Sequence, residues 1–287
     1  MSSRYVHRLV GPLVLLIATV LWGSTFPVIK LVVTDIGSFA YVWIRGLIAV
    51  LCLLPYVVFR LVKQSYNPVY RRVIIGGLLT GVAYALGLWL QGWGTGLTTA
   101  SNSAFITGLN VVFVHLYVAL VERRYSLRLG LELLLAVLGL YLLTMPTGGF
   151  NIGDFLVLLG AVAWAAQVIL VSKYGGADPL AFTFFEILPS VLFVLPDVLY
   201  SGLPRISIRS LLGLAYLGTV CTVGAFSLQA YGQKYVLPEI AALIYLLEPV
   251  FAAVFAWAML GEVMTLTQII GASLMFTAMV IATREVS

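Results

Sequence analysis

A carboxylate followed at once by a proline stands inside the apolar run Ile244–Glu262: Glu248 and Pro249. An ionisable group deep in a membrane helix is costly, so its presence calls for a partner, a wet cavity or a proton. Two chemistries suit it, electrostatic binding of a cationic group on a solute and carriage of a coupling proton. Pro249 removes a backbone hydrogen bond and bends the helix beside the carboxylate. Other polar side chains recur at helical spacing. Ser103, Thr107 and Asn110 follow i, i+4, i+7 and form one stripe. Tyr84, Leu88 and Gln91 form a second, and Trp22 with Thr25 and Trp164 with Gln167 form shorter ones. A polar group facing lipid lacks a partner and costs several kcal/mol, so these faces are expected to meet around a hydrated cavity. The candidate solute-binding residues are Trp22, Tyr84, Trp89, Gln91, Asn102, Asn110, Trp164, Gln167, Gln229, Tyr245 and Glu248. The aromatic rings would pack on an apolar or cationic part of a solute, and the amides would orient its polar ends.

Each residue has a plainer use. Asn, Ser, Thr and Gln in membrane helices also act as interhelical hydrogen-bond glue. Gly77-x-x-x-Gly81, Gly92-x-x-x-Gly96 and Ala252-x-x-x-Ala256 read as close helix packing. Glu132, one turn after Arg128, is expected to pair with it, and Glu239 after Pro238 suits a helix N-terminus. His115 reads as a satisfied helix contact, Lys30 as a snorkelling cation, and Cys52 and Cys221 as packing residues. Arg45 and Glu186 fall in corresponding spans, either paired or each closing one end of a cavity. No His-Glu-x-x-His, Gly-x-Ser-x-Gly or paired aspartates within spans are present, and there are only two histidines. An enzyme, a metal centre and a cofactor are therefore not expected.

These residues need elements to hold them, and the composition names the solvent. Of 287 residues, 62% are hydrophobic and 9% charged, more apolar surface than a soluble domain can hide. A bilayer core of about 30 Å asks for roughly 20 apolar residues per helix. The chain offers ten such spans, at 11–31, 38–59, 73–93, 99–121, 129–146, 154–173, 180–200, 210–232, 237–260 and 266–283. The first follows Arg4, His7 and Arg8 without a small-residue cleavage site and is expected to be retained. With the N-terminus inside, inner segments hold twelve Lys and Arg and outer segments three, Lys30, Arg205 and Arg209. That bias places both termini in the cytoplasm. The net charge of +5 then reflects topology and anionic lipid, with no nucleic acid as partner.

A shift of 138 residues lays Leu90-Gln91-Gly92-Trp93-Gly94 over Leu228-Gln229-Ala230-Tyr231-Gly232, and Asn110-Val111-Val112-Phe113 over Glu248-Pro249-Val250-Phe251. A shift of 142 lays Trp22 over Trp164. The chain thus reads as an all-α polytopic membrane protein of two five-helix repeats, 1–146 and 147–287. Five is odd, so the second repeat enters the membrane inverted, a layout of secondary transporters with the solute site between the halves.

The segments "LWGSTFPVIK", "TTASNSAFITGLNVVFV" and above all "LEPVFAAVFAWAMLGE", with Arg45 in the second span, resemble the drug/metabolite transporter superfamily, in its EamA-type branch. The resemblance runs along the whole chain. It implies ten helices in two inverted repeats, a cavity lined by spans one, three, four, six, eight and nine, and export of small metabolites, often amino acids, across the cytoplasmic membrane. Glu186 departs from it, standing where a family-like arginine is expected. Translocation by alternating access follows from that reading, with a small-molecule solute and membrane lipids as partners. A channel or a lipid scramblase is the alternative that a polar cavity also serves.

Overall fold

A computed structural model describes residues 3–64, 68–145, 149–200, 202, 204–260 and 264–283, with the backbone alone at 3–9, 64, 100, 101 and 256–260. The side chains of Arg4, His7, Arg8 and Ala256, and all of Glu262 and Arg284, lie outside the described residues. Among the described residues there are helices and no strands.

The helices in chain order are α1 (Ser3–Gly23), α2 (Thr25–Gln64), α3 (Pro68–Leu97), α4 (Ala100–Gly108), α5 (Asn110–Leu120), α6 (Leu127–Thr144) and α7 (Ile152–Tyr174). They continue with α8 (Pro179–Ile187), α9 (Val194–Tyr200), α10 (Ile208–Tyr216), α11 (Ala225–Gly232), α12 (Pro238–Tyr245), α13 (Glu248–Leu260) and α14 (Leu266–Thr283). A 3-10 turn at Leu188–Phe193 joins α8 to α9, and a π-helical stretch at Leu217–Gly224 joins α10 to α11. The described residues hold nine runs long and apolar enough to cross a bilayer and a shorter apolar helix at Val10–Gly23. These supply the ten spans of an all-α membrane protein.

The sequence leaves residues 32–37 as a connection between the first two spans, whereas the backbone stays helical through Ile36. The chain instead turns at Gly37, whose φ of +82° is open to glycine without strain. Thus α2 carries the end of span one and the whole of span two. Pro189 accompanies the 3-10 turn of span seven, where a missing N–H breaks the α pattern. Side chains start several helices: Asn151 and Asp154 close a capping box on α7, Ser126 caps α6, Asp178 caps α8 and Ser207 caps α10.

Close glycine contacts display the inverted repeat. A methyl built on Gly153 would sit 2.9 Å from the carbonyl oxygen of Gly94, and one on Gly232 would sit 3.2 Å from that of Gly11. Gly94 and Gly232 are related by the shift of 138, and Gly11 and Gly153 by that of 142. The contact of α3 of the first repeat with α7 of the second is therefore mirrored by that of α11 of the second with α1 of the first. Spans five and ten, α6 and α14, pack on each other through Gly139 and Gly271. Large apolar side chains such as Leu127, Leu199 and Ile208 stay exposed on the outer faces, as lipid requires and water would forbid.

Candidate functional site

Span nine is interrupted just before Glu248, although Leu246 N–H still reaches the carbonyl of Ala242 and Phe251 N–H that of Leu247. α12 ends at Tyr245, Leu246 and Leu247 turn, and α13 starts with Glu248. Pro249 therefore lies in the first helical turn, where its fixed φ suits the helix and its missing N–H costs little. Span four breaks in the same way: α4 ends at Gly108, Leu109 turns, and α5 starts with Asn110. Asn110 and Glu248 are counterparts under the shift of 138, and each heads a half-helix whose N-terminal amides favour negative charge. Span one also breaks, at Ser24, between α1 and α2.

These breaks border a central cavity lined by Trp22, Thr25, Ile29, Arg45, Leu88, Gln91, Thr107, Asn110, Trp164, Gln167, Val168, Phe226, Gln229, Tyr245 and Glu248. The space open to the centre of a water molecule is about 60 Å³, several times the 10–15 Å³ or so that one water needs. The lining is polar enough to keep such waters. Spans one, three, four, six, eight and nine supply every wall residue except Arg45, which comes from span two.

Two amide clusters hold the walls in register. In the first repeat's share, Gln91 donates through Nε2 to Thr107 Oγ1 at 3.2 Å and accepts at Oε1 from the indole of Trp164 at 3.1 Å. In the second, Gln167 and Gln229 exchange hydrogen bonds at 3.0 and 3.1 Å. Gln167 also donates to Glu186 Oε1 at 2.5 Å. Arg45 donates from Nε to Thr222 Oγ1 at 2.7 Å and from a terminal nitrogen to the Tyr41 hydroxyl at 2.6 Å. The aromatic wall centres on Phe226, whose ring lies 5.0 Å from Trp22, 4.9 Å from Tyr84 and 6.0 Å from Trp164. Tyr245 meets Trp22 edge-on at 5.3 Å.

The cavity thus brings together Trp22, Gln91, Asn110, Trp164, Gln167, Gln229, Tyr245 and Glu248 from the sequence candidates. Tyr84, Trp89 and Asn102 stand outside its lining. Tyr84 is wholly buried behind Trp164 and Phe226. Trp89 stacks on Phe39 and Trp93 in a separate aromatic cluster. Asn102 lies in the first turn of α4, where its amide N–H is taken by Thr99 Oγ1. Thr25, Thr107 and Leu88, which share the stripes of candidates, belong to the lining and were not among them.

Arg45 and Glu186 occupy matching places without pairing. The carbonyl oxygens of both abut a glycine of the facing span, Gly218 for Arg45 and Gly81 for Glu186. Among the described residues no ion pair joins them. Arg45 reaches the cavity wall, and Glu186 sits behind it, touching it through Gln167. Glu248 also has no hydrogen-bond or ion-pair partner among the described residues, and its carboxylate faces the cavity. One cation and one carboxylate therefore share a small wet space. Lys30 donates to the carbonyl of Thr98, just beyond the end of α3, at 3.1 Å. Arg128 pairs with Glu132 at 3.0 Å as the spacing predicts. His115 makes its helix contact through Nδ1, 2.8 Å from the carbonyl of Val111.

Comparison with known proteins gives a consistent answer. An EamA-like transporter family model matches twice, at residues 9–145 and 151–284. A protein of Archaeoglobus fulgidus described as an uncharacterized transporter is 32% identical over 288 aligned residues, covering 99% of this chain and 89% of its own. The Bacillus subtilis protein YdfC, also described as an uncharacterized transporter, is 26% identical over 59% of each chain. A protein of known crystal structure superposes with a TM-score of 0.77 over 96% of both chains at 16% identity, a likeness of fold. The protein is a multi-pass membrane transporter, and it belongs to the EamA-like transporter family.

Proposed function

We propose that the protein is a secondary transporter that moves a small metabolite carrying both a cationic and an anionic group, an amino acid or a related compound. The observation that carries this reading is the joint presence of Glu248 and Arg45 in one cavity without an ion pair between them. Two opposite charges held apart match a solute that bears both signs, with its ammonium on Glu248 and its anion on Arg45. A charged group so bound gains a charge-assisted hydrogen bond, stronger than a neutral one. Gln91, Gln167, Gln229 and Asn110 orient polar groups between these poles, and Trp22, Phe226 and Trp164 cover an apolar side chain.

The two units, 1–146 and 147–287, rock about this midplane site so that it opens to one side at a time. The broken helices of spans one, four and nine support that reading, because half-helices can tilt independently of their other halves. The excess of Lys and Arg on one side supports insertion in the cytoplasmic membrane with both termini in the cytoplasm. Export is the direction in keeping with the family resemblance.

The test is a thermal-shift screen of purified protein against amino acids, amines, nucleosides and sugars, since a ligand of the native state stabilises with its occupancy. It is followed by countertransport of the labelled hit in liposomes. Saturable exchange is expected for zwitterions. Glu248→Gln is expected to fold normally and to lose at least about tenfold in apparent affinity, the value of roughly 1.4 kcal/mol in binding. Transport of a zwitterion unaltered in that variant removes Glu248 from the site, and a sustained conductance in place of exchange removes the carrier reading.

A further inference from the structure

At one end of the bundle, away from the central cavity, three cations converge on a single recess of about 320 Å³. Arg72 comes from the start of span three, Lys173 from the end of span six and Lys234 from the end of span eight. The first belongs to one repeat and the other two to its mate.

The geometry gathers these charges around one tyrosine and one turn. The guanidinium of Arg72 lies 5.8 Å from the ring centre of Tyr174, and the ammonium of Lys173 lies 5.3 Å from the same ring. A terminal nitrogen of Arg72 is 3.4 Å from the carbonyl oxygen of Lys173. The stem of Lys234 runs along Gly176, where an added methyl would meet its Cγ at 3.3 Å. Among the described residues no acidic residue lines the recess. Asp178, in the same loop, is taken by Arg60 at 2.7 Å and by Tyr56 at 3.0 Å.

Lys63, Arg71, Arg123, Arg205 and Arg209 also lack an ion pair among the described residues, but none of them lines the recess, whereas three other basic side chains near the ends of the bundle are matched. Arg60 has Asp178, Arg124 has Glu122 and Glu239, and Arg128 has Glu132. Among the described residues Arg72, Lys173 and Lys234 have no ion pair. Like charges drawn together repel unless an anion sits among them. The inverted repeat does not explain the cluster either, because Lys30, the counterpart of Lys173, is bonded instead to the carbonyl of Thr98.

We propose that this recess binds a phosphate group, carried by the headgroup of an anionic lipid or by a soluble phosphate ester. Basic pockets between membrane helices suit anionic lipid heads, and a planar guanidinium grips phosphate oxygens two at a time. Val69, exposed at the rim, offers an apolar surface to an acyl chain. A phosphate held there ties span three of one repeat to spans six and eight of the other, and so stabilises the arrangement described above. The proposal is independent of which solute the central cavity takes.

The protein, purified in a neutral detergent, is melted alone and with phosphatidylglycerol, phosphatidylcholine, glycerol 3-phosphate, or sodium chloride at matched ionic strength. Phosphatidylglycerol is expected to raise the melting temperature more than phosphatidylcholine, whose phosphate is masked by its own cation. The triple variant Arg72→Gln, Lys173→Gln, Lys234→Gln is expected to lose that difference, and Arg71→Gln, which lies outside the recess, to keep it. Lys234→Gln alone, with a reduced shift, serves where the triple variant does not fold. A shift produced by glycerol 3-phosphate over sodium chloride and lost in the variant supports the site with a soluble source. A shift confined to the lipid and lost in the variant supports it with a lipid source. Equal shifts in the unaltered protein and a folded variant, or no preference for any phosphate probe over its control, overturn the proposal.

Discussion

Glu186 is wholly buried, accepts one hydrogen bond from Gln167 through Oε1, and leaves Oε2 without a partner. No cation approaches it among the described residues, so nothing in its surroundings rewards a negative charge, whereas Gln167 does require an acceptor. Glu186→Gln keeps that acceptor and is expected to melt close to the unaltered protein. Glu186→Ala leaves one N–H of the Gln167 amide unpaired in a buried site, the other still being given to Gln229, and is expected to cost about 1–3 kcal/mol. Thermal denaturation of both variants in detergent checks this; equal losses in the two would mean that the charge itself is needed. The residue scale also tells why the candidate site was only partly legible. Leu88 and Gln91 share a helical face and both line the cavity, whereas Trp89 lies about 100° around the helix from Leu88, the angular step of a 3.6-residue turn. Asn102 likewise lies off the stripe of Ser103, Thr107 and Asn110. Periodicity held the answer in both cases, and residue type alone overrode it. Tyr84 differs, because it lies on the correct face and only packing hides it behind Trp164 and Phe226.

At the scale of elements, span nine announces its break with Pro249, whereas span four breaks at Leu109 with no glycine or proline at that residue. The break in span four has a local mark in Gly108, the last residue of α4 and a weak helix former, and a second one through its counterpart, since Val111 stands where Pro249 stands after the shift of 138. This equivalence makes a sharp prediction. Val111 is the second residue of α5, and proline is tolerated in a first helical turn. Val111→Pro is therefore expected to give a folded, monodisperse protein. Val114→Pro, one turn later and fully buried, removes an intrahelical hydrogen bond and is expected to cost about 3 kcal/mol or more. Gel filtration and melting of the two variants distinguish them, and similar losses would show that α5 does not begin at Asn110. The break at Ser24 had no such clue in its counterpart, because span six stays unbroken as α7.

At the scale of the whole molecule, the two repeats are tied at both ends of the bundle. At one end Asp35 of the first repeat accepts from the hydroxyls of Ser207 and Ser210 of the second, at 2.8 and 2.5 Å. At the other, Arg124 of the first repeat meets Glu239 of the second at 3.2 Å, with Glu239 almost fully buried. The inversion was readable from an odd span count and a constant offset, but these ties were not. Asp35 and Ser207 lie 172 positions apart, and no helical or strand period links them. Alternating access requires the two ties to open in turn, whereas a channel has no need of that. Asp35→Asn weakens one tie and Glu239→Gln the other; the exposed Asp35 tie is screened by solvent, whereas Glu239 is buried and its loss of charge costs on the order of the 1.5–3 kcal/mol of a hydrogen bond to a charged group. The Glu239 change is enough to shift a two-state balance about tenfold, since 1.4 kcal/mol corresponds to a factor of ten, and the Asp35 change is expected to act in the opposite direction with a smaller effect. A cysteine placed at Thr25 in the cavity, with Cys52 and Cys221 replaced by alanine, reports which side admits a membrane-impermeant thiol reagent. Asp35→Asn is expected to speed labelling from the side that carries Asp35 and slow it from the other. Glu239→Gln is expected to do the reverse, because opening one end of a rocking pair closes the other. Labelling that rises from both sides together in either variant would mean that the ends open independently, and the protein would then conduct as a pore rather than carry by rocking.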